Sequence, residues 1–553
     1  MARTRWPKRA ALAAVGVALL AAGCQESAPP SPAPAATNQP ATSQTDPSTA
    51  RQPSTAAAAS ARRSNQPAAD ALPDFPPPKS SHAAGTSMSG GEPSFPPPKF
   101  DPATTDPALR GRPIDPGAPL ADLMEQAQRE GLVDGQGNLT IRPAREIDAA
   151  RAAAAGILEL RGQYVRIYTD LPASDEVDRL PAVFDAAYPQ WCEYFGVPRE
   201  SNPPWRANAF IMQNKERFKA AGLLPEYLPE FENGFAEGHE LYIVEQPTEY
   251  YRRHLLLHEG THSFMLTRLT GSFPTWYFEG MAELFGTHRV DDGPGGLKVQ
   301  TRYMPRDRDE VPYWGRTKLI ADAYREGRAR NLKGVFAIEP SRNMGNEDYA
   351  WSWAVCYFFD MHPAYRERFR TLFKLPAGSD FMEAMQKLYE ADSDQVVTQW
   401  QVFITGLDYG YELERAAIRF QPGQPLPASG ATVAVATNCG WHSTGIRLQA
   451  GQTYELTATG RYRVANEAKP WYSEPDGVTI RYHDGLPLGM LVAAVQPDHV
   501  GSGVTPLIKP VDIGSASKLT PQQDGTLYVK INEATADLAD NEGSLRLTVK
   551  ATQ

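Results

Sequence analysis

The hydrophobic rhythm of the chain changes character along its length, and each change predicts a different kind of structure. Residues 25–115 have no periodicity. Runs such as ESAPPSPAPAATNQPATSQTDPSTA, and FPPPK at both Phe75–Lys79 and Phe95–Lys99, hold too few large apolar side chains to bury a core. They predict an extended, partly polyproline tether in which FPPPK is a stiff spacer or a docking motif. Helical spacing begins near PLADLMEQAQREGLV and AREIDAARAAAAGILEL, a helical lead-in over 116–161. GQYVRIYTD then reads as a strand, VFDAAYPQWCEYFG as an amphipathic helix, and RANAFIM and ELYIV as strands. From YYRRHLLLHEGTHSFM to about Asp408 the pattern is mostly helical. Beyond FQPGQPLPASG, a Pro/Gly linker over 411–430, short alternating runs (ATVAVAT, TYELTATGRYRV, GVTIRYH, GTLYVKIN, SLRLTVKA) alternate with Gly, Asp and Asn turns. The predicted fold class is multidomain: an α+β domain over 162–410, mainly helical around its histidines, then an all-β sandwich over 431–553.

The first 24 residues stand outside this pattern. MARTRWPKR is a basic leader, AALAAVGVALL an apolar stretch too short to span a bilayer, and LAAGC follows. The ending resembles a bacterial lipoprotein signal, which implies acylation of Cys24; Ala21 stands three before the cysteine, with the leucine one step further back. The implied location is the bacterial cell envelope, at the outer membrane or cell surface, held by the lipid anchor alone. A plain secretory signal with a chance cysteine is the other reading. Cys192, Cys356 and Cys439 remain, an odd and sparse set that argues against a disulfide framework and supplies no cysteine metal cluster. A formal charge of -10 gives no electrostatic case for nucleic acid.

The chemistry concentrates in YYRRHLLLHEGTHSFM, where three of the chain's ten histidines, His254, His258 and His262, recur every fourth residue. On a helix they share one face. His258-Glu259-Gly260-Thr261-His262 is HExxH, whose two imidazoles reach one ion while the glutamate overhangs it as a base. A zinc site needs a third protein ligand, and Glu279 in FPTWYFEGMAELFGTH is the candidate. Pro274 suits a helix start, and Gly280 and Ala282 allow close helix packing. Glu283, one turn beyond, is either a partner that orients a ligand imidazole or a solvated carboxylate. His254 lies one turn too early to join the ligands and reads as structural, as does His288.

HExxH followed by W-x-x-E-G-x-A resembles the gluzincin metallopeptidases, the thermolysin and aminopeptidase-like clan, and most closely the bacterial peptidase-MA-like lipoproteins. The resemblance runs from about Gly162 to Asp408 and includes YAWSWAVCYFFDMHPAYRERF. It implies a zincin-like fold with His258, His262 and Glu279 as zinc ligands, Glu259 as general base, and a peptide or protein substrate. The spacer to the third ligand is a little shorter than in the aminopeptidases. Those relatives also carry a downstream tyrosine that donates to the developing oxyanion. Tyr349 stands at a comparable distance, with Tyr303 and Tyr313 as competitors.

From about Thr432 onwards the chain resembles the galactophilic calcium-dependent bacterial lectins, most clearly in the acidic loop Glu533-x3-Asp537-x2-Asp540-Asn541. That resemblance implies calcium at those four residues and a carbohydrate partner. Glu533 stands where the lectins have an aspartate, Asp540 where they have an asparagine, and Glu474-Pro475-Asp476 where they have a His-Pro loop. The expected protein is a tethered zinc metallopeptidase with a carbohydrate-binding-like module. The alternative is a non-catalytic lectin-like lipoprotein whose peptidase fold holds metal without turnover.

Overall fold

The computed structural model describes residues 144–201, 204–339, 344–500 and 503–552. The expected signal, Cys24, the tether and the first part of the lead-in lie outside them. Among the described residues, no helix is long and apolar enough to cross a membrane.

The first half is built on a five-stranded sheet. After α1 (Ala149–Ala154) come β1 (Leu158–Arg161), β2 (Val165–Thr169), α2 (Asp175–Tyr194), β3 (Ala207–Met212), α3 (Lys215–Ala220), β4 (Gly234–Glu237) and β5 (Glu240–Val244). The strand order is β1-β2-β3-β5-β4, so β4 is an edge strand. Strands β2, β3 and β5 run parallel, and β1 and β4 are antiparallel to their neighbours. Alternate side chains separate two cores, as the strand period requires. Val165, Ile167, Ala209, Ile211, Leu241 and Ile243 join the large helical core, while Tyr168, Phe210 and Tyr242 join a smaller aromatic one with Phe218 and Phe231.

The helical expectation for the lead-in is corrected at its end. Its helix stops at Ala154, Gly156 takes φ 73°, and Leu158–Arg161 pairs with β2. A short alternating run beside a ready strand gains ladder bonds that a frayed helix end cannot supply.

On the large core lie α4 (Glu249–Arg268) and α5 (Thr275–Gly286), followed by the hairpin β6 (His288–Gly293) and β7 (Gly296–Thr301). Then come α6 (Arg316–Arg325), α7 (Leu332–Phe336), α8 (Asn346–Met361), α9 (Arg366–Phe369), α10 (Phe381–Tyr389), α11 (Ser393–Gly406) and α12 (Leu413–Ala416). The hairpin interrupts the expected helical run. Its antiparallel register closes on Gly293 and Gly296, the latter at φ 85°, so the glycine-rich turn overrides the surrounding helical rhythm.

The C-terminal part is β-rich. One sheet has order β17-β16-β19-β10-β8, from Val511–Asp512, Leu491–Gln496, Gly525–Ile531, His442–Leu448 and Gln424–Pro425. The other has order β18-β11-β20-β9, from Ala516–Leu519, Tyr454–Thr459, Ser544–Ala551 and Ala431–Ala436. Leu456, Leu527, Val529, Leu547 and Val549 share one buried cluster. The stretch expected as a linker is packed rather than free. Leu413, Ala416 and Ile418 are buried, and β8 within it pairs in parallel with β10. Gln401 on α11 also bonds across to Gly503 and Thr505, at 2.9 and 2.7 Å. Apolar residues inside a Pro/Gly-rich stretch thus decided its fate over the turn formers.

Candidate metal centre

Helix α4 starts where Thr248 accepts from the Tyr251 amide at 3.2 Å, and its residues from His254 to Met265 are all buried. A helix buried all round must carry its polar groups as a satisfied cluster, and this one turns its histidines to α5. The glycine of HExxH has a packing reason. A Cβ at Gly260 would meet Phe184 Cε2 at 2.6 Å and Trp191 at 2.8 Å. Gly280 does the same on α5, where a Cβ would lie 2.3 Å from the Ser352 carbonyl oxygen of α8.

These close approaches bring Glu279 to the two histidines. His262 Nε2 lies 3.0 Å from His258 Nε2 and 3.1 Å from Glu279 Oε2, and His258 Nε2 lies 3.5 Å from that same oxygen. Donors at three corners of a tetrahedron with bonds of about 2.0–2.1 Å stand roughly 3.3–3.4 Å apart, so this triangle is within a few tenths of an ångström of a zinc site. Its protonation suits a cation too. Burial pushes the His262 imidazole down despite the neighbouring Glu279. Burial alone would raise the Glu279 carboxyl, but His262 and His258 hold it down at about 2. Neutral imidazoles and an ionised carboxylate are the forms that ligate. The His262 ring also stacks on Phe278, centroids 4.2 Å apart.

Glu259, expected as the base, is buried against the edge strand, where a Cβ at Gly234 would stand 2.2 Å from its Oε1. Of the three tyrosines, Tyr349 on α8 is the one brought to the histidines, its ring centroid 6.3 Å from that of His258. Tyr303 instead donates to Glu310 Oε2 at 3.0 Å, and Tyr313 is exposed with φ 72°.

Glu283 is not a solvated carboxylate. It is fully buried, with Oε1 3.2 Å from His258 Nδ1 and 3.4 Å from His254 Nε2. Arg316, the first residue of α6, donates to it through Nε at 2.9 Å and Nη2 at 3.1 Å. No sequence motif announces Arg316; the only local sign is the preceding Gly315, at φ 52°, which turns the chain into α6. His254 stacks on Tyr251 and His288 on Tyr250, both buried. Two groups of His, Cys, Asp or Glu among the described residues have ligand atoms close enough to share an ion: His258, His262 and Glu279, and His254, His258 and Glu283.

In the β-rich part, Asn541 Nδ2 donates to Glu533 Oε2 and to the Thr437 carbonyl. Asp540 Oδ2 accepts from the Asn466 amide at 2.8 Å, and Asp537 is exposed on the turn. Asp540 Oδ1 and Asn541 Oδ1 are buried without a hydrogen-bond partner among the described residues. Glu474-Pro475-Asp476 is engaged internally, Asp476 Oδ1 accepting from the Ser515 amide at 2.6 Å.

No family model matches the sequence, and no curated protein matches it. Among solved structures the chain is similar to an aminopeptidase N family protein from Idiomarina loihiensis, at 13% identity and a TM-score of 0.23, over 72% of this chain and 69% of that one. It is similar to IMPa from Pseudomonas aeruginosa, solved with an O-glycopeptide, at 10% identity and a TM-score of 0.14, over 45% of this chain and 25% of that one. It is also similar to the N-terminal domain of EclA, a PllA-like lectin, at 18% identity and a TM-score of 0.17, over 22% of this chain and 95% of that one.

Proposed function

We propose that the chain is a zinc-dependent metallopeptidase of the bacterial cell envelope, tethered through Cys24 and carrying a carbohydrate-binding-like module. The observation that supports it is the buried triangle of His258, His262 and Glu279 with the Glu259 carboxylate beside it. In this reading residues 1–24 are the signal, 25–115 the tether, 116–161 the lead-in, 162–410 the peptidase domain, 411–430 the connection and 431–553 the β module.

His258, His262 and Glu279 would hold the ion, which would supply Lewis acidity to the scissile carbonyl and its attacking water. Glu259 takes the proton from that water and returns it to the departing amine, so one carboxylate serves as base and then acid. Tyr349 donates its hydroxyl hydrogen to the oxygen that becomes negative as the carbonyl is attacked. The edge strand β4 lies beside Glu259, where an extended peptide would pair with the sheet through its main chain. In the β module, Glu533, Asp540, Asn541 and the Asp537 position supply oxygens for calcium.

Metal analysis of the purified chain, paired with a general protease assay, tests this reading. About one zinc per chain is expected, lost in His262→Ala and Glu279→Ala, while Glu259→Gln keeps the metal and loses turnover. Stoichiometric zinc in both ligand variants would remove the site. Turnover unaltered in Glu259→Gln would remove the mechanism and leave the lectin-like binding lipoprotein.

A further inference from the structure

The third histidine and the buried arginine have no part in the chemistry above, yet both converge on one carboxylate. Glu283 offers two oxygens, and Arg316 covers both, with Nε on Oε2 and Nη2 on Oε1. The same Oε1 faces His258 Nδ1 and His254 Nε2. All four side chains are at most 2% exposed. We propose that Arg316 is a positioning residue of the metal centre, acting through Glu283 to fix the ring orientation and tautomer of His258, with His254 as the second brace on that carboxylate. The inference rests on the zinc reading above.

Glu283 Oε1 lies 3.2 Å from His258 Nδ1, so a proton carried on that nitrogen faces the carboxylate and leaves the lone pair on Nε2, the nitrogen that faces His262 and Glu279. A carboxylate free to rotate would meet His258 in several ways; a two-pronged guanidinium allows one. The fixed positive charge also decides between the two histidine–carboxylate groups. His254, His258 and Glu283 are close enough for an ion, but Arg316 already neutralises Glu283 and occupies its oxygens. A second cation there would be buried beside a guanidinium without a counter-charge. The histidine cluster therefore holds one metal, and the second group is its brace.

The test is zinc affinity of the full chain, measured by competition with chelators of graded strength, alongside the absorption spectrum of the cobalt-substituted protein. Arg316→Ala should bind one zinc about 10–100-fold more weakly than wild type, the loss typical of removing an outer partner of a ligand. Its cobalt spectrum should change, because His258 is no longer held in one orientation. Arg316→Lys keeps the charge but not the fork and should fall between the two; it also serves if Arg316→Ala does not fold. Wild-type zinc affinity and spectrum in a folded Arg316 variant would overturn this inference while leaving the zinc site standing. Two zinc ions per wild-type chain, one of them lost in His254→Ala, would overturn it in favour of a dinuclear centre. A wild type that takes up no zinc would overturn the site reading itself, and this inference with it.

Discussion

Gly234 and Glu259 touch across the junction of the edge strand and the histidine helix: a Cβ on Gly234 would stand 2.2 Å from Glu259 Oε1 and 2.9 Å from its Cδ. No side chain is compatible with the carboxylate where it now lies. Gly234→Ala should therefore displace Glu259 while leaving the three proposed ligands untouched. The expected outcome is retained zinc with kcat/KM lowered at least about tenfold, the price of a misplaced base. Unchanged kinetics with normal zinc would show that Glu259 acts from another position.

Tyr349 is 1% exposed and presents its ring to His258. If its hydroxyl stabilises the developing oxyanion, Tyr349→Phe should lower kcat by about 10²–10³ with little change in KM, zinc content or thermal midpoint. A phenylalanine fills the same space, so a purely packing role predicts near-normal kcat. The two readings separate on that one number.

Helices α5 and α8 meet through Gly280, where a Cβ would lie 2.3 Å from the Ser352 oxygen and 2.5 Å from Cys356 Sγ. Backbone on one side and a buried sulfur on the other leave no room to yield. Gly280→Ala is expected to cost about 1–3 kcal/mol by overpacking, despite alanine's better helix propensity. It should also loosen zinc, since α5 carries Glu279. Chemical denaturation read with zinc affinity checks both; a stabilised variant would contradict the packing.

The convergence of His258, His262 and Glu279 was legible because it depends on helix period and on two short motifs, which survive without knowledge of the loops between them. His258 and His262 are one turn apart on α4, and Glu279 comes from the neighbouring helix in sequence. Glu283 was half legible: its position one turn past Glu279 suggested an outer partner, but burial decided between that and a solvated group. Arg316 was not legible, because it meets Glu283 only after the β6–β7 hairpin and a loop have folded between them. The same limit explains that hairpin. His288–Gly293 and Gly296–Thr301 are too short to outvote the helical rhythm around them, although their glycine-rich turn was in plain view. Ile418 shows the reverse case, an apolar residue in a linker-like stretch whose partners Trp441 and Tyr528 lie far along the chain.

His362, at the end of α8, is 2% exposed, stacks on Tyr365 at 3.9 Å, and accepts from the Ala364 amide through Nδ1 at 3.1 Å. Burial, aided by Arg368, lowers its pKa to about 4. An unfolded histidine titrates near 6.5, so between about pH 4 and 6.5 the unfolded chain binds the extra proton. The contribution is therefore fully present above about pH 6.5 and is lost as pH falls through 4, with an upper size of about 3 kcal/mol. His362→Asn keeps an acceptor for Ala364 and cannot take up that proton. Urea midpoints at pH 4.5 and 7 should drop less steeply with acid in the variant than in wild type; equal slopes would place the acid sensitivity elsewhere.

The acidic turn of the β-rich part crowds oxygens into a buried space. Asp540 Oδ1 and Asn541 Oδ1 are buried there without a hydrogen-bond partner among the described residues, and Glu533 is 3% exposed beside them. Buried oxygens left unsatisfied cost stability, and a hard cation with six to eight oxygen ligands is one way to satisfy several at once. If calcium occupies this turn, millimolar calcium should raise the thermal midpoint of the full chain, because a ligand that binds only the native state stabilises it by mass action, about 2.7 kcal/mol at a hundredfold excess over Kd. Glu533→Gln and Asn541→Ala should each blunt that response without altering zinc content, which separates this turn from the histidine centre. Magnesium, which demands a tighter octahedral shell, should substitute poorly. A midpoint indifferent to calcium in wild type would leave the turn as internal packing, with Asn541 joining Glu533 to Thr437. A calcium response without any effect of added galactose would leave a structural ion in a β-rich part whose Glu474-Pro475-Asp476 loop, bonded to Ser515, is committed to the fold.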